Sequence, residues 1–247
     1  MTPRLRVLAG PNGSGKSTLA EMLVKEYSVN LYTFLNADVL HAELSCSHKT
    51  PCPFSNSQQE LIDFVQGSSY PDIVKAPFLN GAIRIADDDY IQVEPTAVTS
   101  YTSAVITDFL KEQYLSRRLN FSFESVFSHS SKVDFLRRAY DAGYRNYLYF
   151  IATADPCINV NRVGNRAALG GHSVPEEKIR ERYERCMKQI RTALPYLHRA
   201  YFFDNTLDAP VLLAEYDVDS FTLYEEQMPS WFKRYASFAL MSAMSQN

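Results

Sequence analysis

Gly10-Pro11-Asn12-Gly13-Ser14-Gly15-Lys16-Ser17 is a complete G-x-x-x-x-G-K-S octet. It follows an apolar run, Leu5 to Ala9, and opens a helical pattern from Ser17 to about Tyr27. Strand, glycine loop and helix in that order are the context in which such an octet folds around phosphate groups. The glycines let backbone N–H groups converge on a nucleotide's phosphates. Lys16 adds a positive charge near the β- and γ-phosphates, and the Ser17 hydroxyl is a ligand for Mg²⁺. The expected contact set with ATP is Gly10, Pro11, Asn12, Gly13, Ser14, Gly15, Lys16, Ser17 and Thr18.

Outward from this loop, apolar runs and helical patterns alternate, which predicts an α/β fold with a mainly parallel sheet flanked by helices. Five core strands are expected at Arg4–Ala9, Leu31–Leu35, Asn120–Val126, Arg145–Ala152 and Ala200–Asp204. The clearest helices are Thr99–Arg118, Ser131–Ala142 and Pro175–Thr192. Gly143 is placed to close the second of these. Asp155-Pro156 reads as an N-cap with proline at the first helical position, and Ser173 with Glu176 as a capping box.

A kinase-type domain is expected over residues 1–206, with an insertion at 45–98 and a lid at 162–175. The insertion opens with Ser45 to Pro53, read as a Pro/Ser-rich loop, and continues to a hairpin around Asp87-Asp88-Asp89. A small C-terminal β appendage is expected over residues 207–247. Its alternating stretch, Pro210 to Glu226, precedes Trp231 and should pack on the core.

The 247 residues are 46% apolar and carry a net charge of −3, so no basic field points to nucleic acid. No stretch approaches the ~20 apolar residues of a membrane span. Cys46, Cys52, Cys157 and Cys186 show no framework spacing, and with no signal sequence the expected location is the cytoplasm. Cys46, His48 and Cys52 lack a fourth ligand and the spacing of a zinc finger.

Other motifs narrow the chemistry. The nearest match to a guanine-specificity motif, Ser131-Lys132-Val133-Asp134, falls inside a helical pattern, and no apolar run ends in Asp-Glu as in ATPase motors. A small-molecule kinase remains, which needs a base, charge clamps and a lid. Asn36-Ala37-Asp38 ends the second strand, where a carboxylate is placed to take a proton from an attacking hydroxyl; the alternative role of Asp38 is a helix N-cap. Glu124 ends the third strand, either holding Mg²⁺ through water or binding a substrate hydroxyl, with a salt bridge at the sheet edge as the structural alternative. Arg162 and Arg166 share a helix face before Gly170-Gly171, as in a mobile phosphate lid. Arg182 and Arg185 are weaker lid candidates, because Glu181–Arg185 and Glu184–Lys188 pair as a solvated face. Asn205, within Phe203-Asp204-Asn205-Thr206, is expected to border the adenine.

These pieces, in this order over roughly residues 4–206, resemble the zeta-toxin-like kinases. Characterised toxins of that family phosphorylate the 3′-hydroxyl of UDP-N-acetylglucosamine with ATP. The resemblance implies Lys16 and Ser17 at ATP and Mg²⁺, Asp38 as base, Glu124 near the acceptor, and Arg162 and Arg166 on the phosphoryl group. A UDP-sugar acceptor and an antitoxin partner are implied in the same way. The insertion at 45–98 and the close arginine spacing depart from the characterised toxins. A kinase of another nucleotide-like alcohol, such as a dinucleotide, and a non-catalytic ATP-binding regulator are the alternatives.

Overall fold

The computed structural model describes residues 2–54, 57–86, 89–171, 174–218 and 220–237. In chain order its first elements are β1 (Arg4–Ala9), α1 (Lys16–Lys25), β2 (Thr33–Leu35), α2 (Ala37–Ser47), β3 (Lys49–Pro51), α3 (Gln58–Gly67) and α4 (Asp72–Leu79). Next come β4 (Ile83–Ala86), β5 (Tyr90–Val93), α5 (Ser100–Ser116), β6 (Phe121–Ser125), α6 (Ser130–Asp141) and β7 (Arg145–Ala152). The last are α7 (Pro156–Ala168), α8 (Glu176–Ala193), β8 (Arg199–Asp204), β9 (Val211–Asp217) and β10 (Ser220–Leu223), followed by a π-helical segment, Phe232–Ser237. The chain divides into two compact units, Met1–Phe34 with Asn120–Asn247, and Leu35–Leu119.

A seven-stranded sheet runs β10-β9-β8-β7-β1-β6-β2. β1 lies parallel between β6 and β7, with Val7 opposite both Phe123 and Leu148. Leu5, Val7, Leu8 and Ala9 are fully buried, as a parallel strand covered on both faces requires. The five strands expected from the sequence are β1, β2, β6, β7 and β8. β9 and β10 continue the same sheet antiparallel beyond β8. Trp231 closes over this end: its ring lies 6.0 Å from that of Phe150, and Nε1 donates to Asp204 Oδ1 at 2.8 Å.

Gly143 ends α6 as the sequence predicts. It adopts φ +81°, the left-handed region, while its N–H reaches the Tyr140 carbonyl and that of Tyr144 reaches Ala139. Asp155 caps α7 through the Cys157 N–H at 2.7 Å, with Pro156 at the first helical position. The start of α8 is a correction. Its N-cap is Pro175, which offers no side-chain bond, and Ser173 lies outside the described residues together with His172.

The unit 35–119 holds the antiparallel sheet β3-β5-β4 with helices α2 to α5. Leu40, Leu44, Leu61, Val65, Phe78, Ile91, Ile106 and Phe109 form its buried interior. Ser45 to Pro53, expected as loop, instead completes α2 and forms β3. β3 is an edge strand, so its last residue, Pro51, can join without an N–H to donate. Helices α3 and α4 lie between the expected loop and the expected hairpin. β4 and β5 pair antiparallel, as the expected hairpin requires; Asp87 and Asp88 lie outside the described residues. Among the described residues no helix is long and apolar enough to cross a membrane.

Candidate phosphate-binding site

The loop between β1 and α1 is held in shape by main-chain and side-chain bonds from four other segments. Gly10 N–H donates to Ser125 O at the tip of β6, and Ser14 N–H to Pro11 O, both at 3.3 Å. α1 begins after Gly15, which sits at φ +94° and supplies no side-chain cap. The first-turn amides of α1 therefore meet no capping side chain, the arrangement in which a helix N-terminus accepts a phosphate. At Gly15 a Cβ would overlap the Asn205 side-chain nitrogen, so glycine is required there by both backbone and neighbour.

Three loop carbonyls are taken by side chains. Lys16 Nζ donates to Pro11 O at 2.9 Å, Asn159 Nδ2 to Asn12 O at 2.6 Å, and Asn205 Nδ2 to Ser14 O at 2.8 Å. Carbonyl oxygens repel phosphate oxygens, so engaging them leaves the amide side of the loop as the attractive one. Asn205 is itself fixed by its N–H on Ala152 O, and its carbonyl accepts from Arg162 Nη1, both at 2.8 Å.

Glu124 and the loop meet directly. Its register partner on β1 is Leu8, one residue before the strand's end. Ser17 Oγ donates to Glu124 Oε2 at 3.2 Å, and Lys16 Nζ lies 3.8 Å from Oε1. The lysine side chain is 7% exposed and the glutamate 14%, so this ion pair is shielded from bulk water. A hydroxyl and a carboxylate side by side are hard oxygen donors and fit Mg²⁺, which takes one or two such groups and completes its octahedron with water and phosphate oxygens.

The arginines differ in what they hold. Arg162 and Arg166 both lie on α7, one turn apart as expected. Arg162 is half-buried, and its second nitrogen bonds Leu207 O at 3.0 Å, so the guanidinium braces the segment after β8. Arg166 is exposed, and its carbonyl accepts the Gly171 N–H at 3.0 Å. Arg185 pairs with Glu181 at 3.3 Å, as the helix spacing predicts, whereas Glu184 accepts from Tyr235 at 2.7 Å. Arg182 is half-buried on the same helix.

Asp38 belongs to the unit 35–119. It is the second residue of α2 and not its cap; Asn36 is the cap, accepting from the N–H groups of Asp38 at 2.8 Å and Val39 at 3.3 Å. Asn serves as well as Asp at an N-cap, and being the earlier residue it takes that position. The Asp38 side chain is exposed, three residues beyond the end of β2.

Asn159 was not anticipated from the sequence. It is fully buried, its Oδ1 accepts from Thr153 Oγ1, and the Thr153 carbonyl accepts from Tyr183 Oη at 2.6 Å. Its sequence signal is an asparagine four residues before Val163, on the buried stripe of an amphipathic helix. Buried polar side chains on such a stripe need partners, and the loop provides them.

The zeta toxin family model matches residues 84–206, which contain Glu124, Arg162, Arg166 and Asn205 and leave out the glycine loop. No curated protein matches the sequence. Among solved structures, AvrRxo1-ORF1:-ORF2 with ATP has a TM-score of 0.59 at 14% identity, covering 96% of this chain and 64% of that one. The chain thus spans less than two thirds of that neighbour's length. The PezAT chromosomal toxin-antitoxin system of Streptococcus pneumoniae gives a TM-score of 0.50 at 12% identity, covering 100% and 80%. Residues 84–206 thus match the zeta toxin family, and with the glycine loop on its central parallel strand the chain has the α/β fold of these P-loop neighbours.

Proposed function

We propose that the protein is an ATP-dependent phosphotransferase that moves the γ-phosphate to a hydroxyl of a small molecule, with a UDP-sugar such as UDP-N-acetylglucosamine as the first acceptor. The observation that carries the reading is Glu124 shared between Lys16 and Ser17. A purely structural carboxylate would not need the nucleotide loop's own lysine and hydroxyl as its partners. In the proposed mechanism the loop amides and Lys16 hold the β- and γ-phosphates. Ser17 and Glu124 would hold Mg²⁺, whose contribution is to neutralise charge on the transferring group. Asp38 takes the proton of the attacking hydroxyl, and Arg166 offsets charge on the phosphoryl group. Arg162 acts by keeping Asn205, and through it the loop, in place. An antitoxin-type protein partner and a cytoplasmic site of action belong to the same proposal; the PezAT neighbour is a toxin-antitoxin system.

The test is Asp38→Asn assayed with γ-labelled ATP against UDP-N-acetylglucosamine and, separately, dinucleotides. Because Asn36 caps α2, the substitution should leave the melting temperature near wild type. It removes a positioned base, so kcat should fall by about 10²–10⁴-fold with ATP affinity unchanged. Full transfer by the asparagine variant would remove Asp38 from the mechanism and make Glu124 the leading base. Transfer to dinucleotides alone would replace the acceptor and leave the kinase reading intact.

A further inference from the structure

The small sheet of the unit 35–119 buries one face and exposes the other. Thr50, Ile83, Ile91 and Val93 point inward and are at most 4% exposed. Strand alternation then puts Lys49, Arg84 and Gln92 on the opposite face. The register is in line: Lys49 pairs with Gln92, and Gln92 pairs with Arg84. Neighbouring strands are ~4.8 Å apart, so two cations stand roughly 10 Å apart with an amide between them. That span suits a phosphate group reached from both sides by long side chains.

A cleft of about 310 Å³ lies over this row, and His48 and Glu94 also line it. Its size is that of a site for a small organic ligand. Arg84 Nη2 donates to Gln92 Oε1 at 3.0 Å, which orients the amide so that its NH₂ is left as a further donor. Lys49 Nζ stands 4.9 Å from the centre of the Tyr90 ring. Among the described residues neither Lys49 nor Arg84 forms an ion pair. Two like charges on one sheet face with no acid between them are unfavourable for the sheet by itself. An anion bridging them would relieve that.

We propose that this cleft binds a phosphorylated small molecule, with Lys49, Arg84 and the Gln92 amide on its phosphate and Glu94 accepting from its hydroxyls. The site is built from the unit 35–119 alone, and no residue of the glycine loop lines it. It stands independently of the kinase reading.

The probe is glucose 6-phosphate, titrated calorimetrically into the full chain, with glucose as the unphosphorylated control and inorganic phosphate as competitor. Saturable binding of glucose 6-phosphate is expected in wild type and in Lys16→Ala, which disables the other phosphate-binding loop. Lys49→Ala with Arg84→Ala should weaken it about tenfold or more, the loss of charge-assisted contacts. Inorganic phosphate should displace the sugar phosphate, and glucose should give no heat. Both side chains are exposed, so the double variant should melt as wild type does. If it does not, Arg84→Gln alone is the variant to read. Three outcomes overturn the proposal: no saturable binding to wild type, equal binding by the Lys49 and Arg84 variants, or binding abolished by Lys16→Ala.

Discussion

Asn205 ties the segment after β8 to the glycine loop, 191 positions away in sequence, and its replacement isolates the strength of that tie. The side chain donates one bond, Nδ2 to Ser14 O at 2.8 Å; its other bonds, to Ala152 and Arg162, use main-chain atoms and survive truncation. Asn205 is 6% exposed and Ser14 fully buried, so in Asn205→Ala the Ser14 carbonyl loses its partner without gaining bulk water. An unsatisfied buried group of this kind costs about 1–3 kcal/mol. At roughly 2–4 °C per kcal/mol for a chain of this size, the melting temperature should drop by about 2–12 °C. If the same free energy keeps the loop ready for phosphate, ATP affinity falls by about 5- to 150-fold. Asn205→Asp sharpens the test, because it keeps the volume and turns the donor into a carboxylate facing a carbonyl. That repulsion and burial raise the folded-state pKa above the unfolded value of about 3.9. The folded state then holds the proton more tightly, so the variant loses stability relative to wild type as pH rises through that interval and regains it as pH falls. Differential scanning fluorimetry from pH 4 to 8, with and without ATP and Mg²⁺, reads all of this. Wild-type melting and ATP binding by Asn205→Ala would refute the tie.

Lys16→Ala should reduce ATP affinity by about 10- to 150-fold, the value of charge-assisted contacts of about 1.5–3 kcal/mol, with the fold retained. Titration calorimetry checks it, and an unchanged affinity would exclude the loop as the nucleotide site. Arg6→Met should stabilise the protein. Arg6 is 7% exposed, among the described residues its Nε and Nη1 have no hydrogen-bond partner, and the rings of Tyr32 and Tyr147 lie 4.8 and 5.2 Å from its guanidinium. Losing the ring contacts costs about 0.5–2 kcal/mol, less than the about 1–3 kcal/mol carried by each unsatisfied buried donor. Thermal melting should therefore show a gain of about 1–2 kcal/mol. A loss would mean that the ring contacts outweigh the unsatisfied donors.

The sheet was legible because parallel strands buried on both faces leave apolar runs, of which Tyr147 to Ala152 is the clearest and Leu5 to Ala9 is broken only by Arg6. The unit 35–119 was less so. β3 contributes a single buried residue, Thr50, which is too little for any periodicity to register. The start of α3 did leave a signal: Ser57 and Glu60 form a reciprocal capping box ahead of Leu61 and Val65. With only Leu61 and Val65 buried behind it, the box stands before too short an apolar stripe to mark a helix by periodicity. Asp38 shows a different limit. Asn36 and Asp38 are both good caps, and only the backbone at Asn36, extended at φ −138°, decides which one serves.

The arginines of α7 show what spacing alone leaves out. Arg162 and Arg166 are equivalent in a helical pattern, yet Arg162 spends its guanidinium on the carbonyls of Asn205 and Leu207. Nothing in the i, i+4 interval marks Arg162 as the side chain that braces the segment after β8. Long-range polar partners do. The loop's carbonyls are held by two neutral amides, Asn159 and Asn205, and by Lys16. Neutral donors suit this place because they secure the loop without adding fixed charge beside it. The local charge is then set by Lys16 against Glu124, 3.8 Å apart and shielded. A nucleotide triphosphate entering that balance competes with Glu124 for the lysine. Its extra negative charge would then stand beside a carboxylate, and in the proposed mechanism a hard divalent cation would offset it. The Ser17 hydroxyl, already bonded to Glu124, is positioned as the neutral ligand such a cation would share.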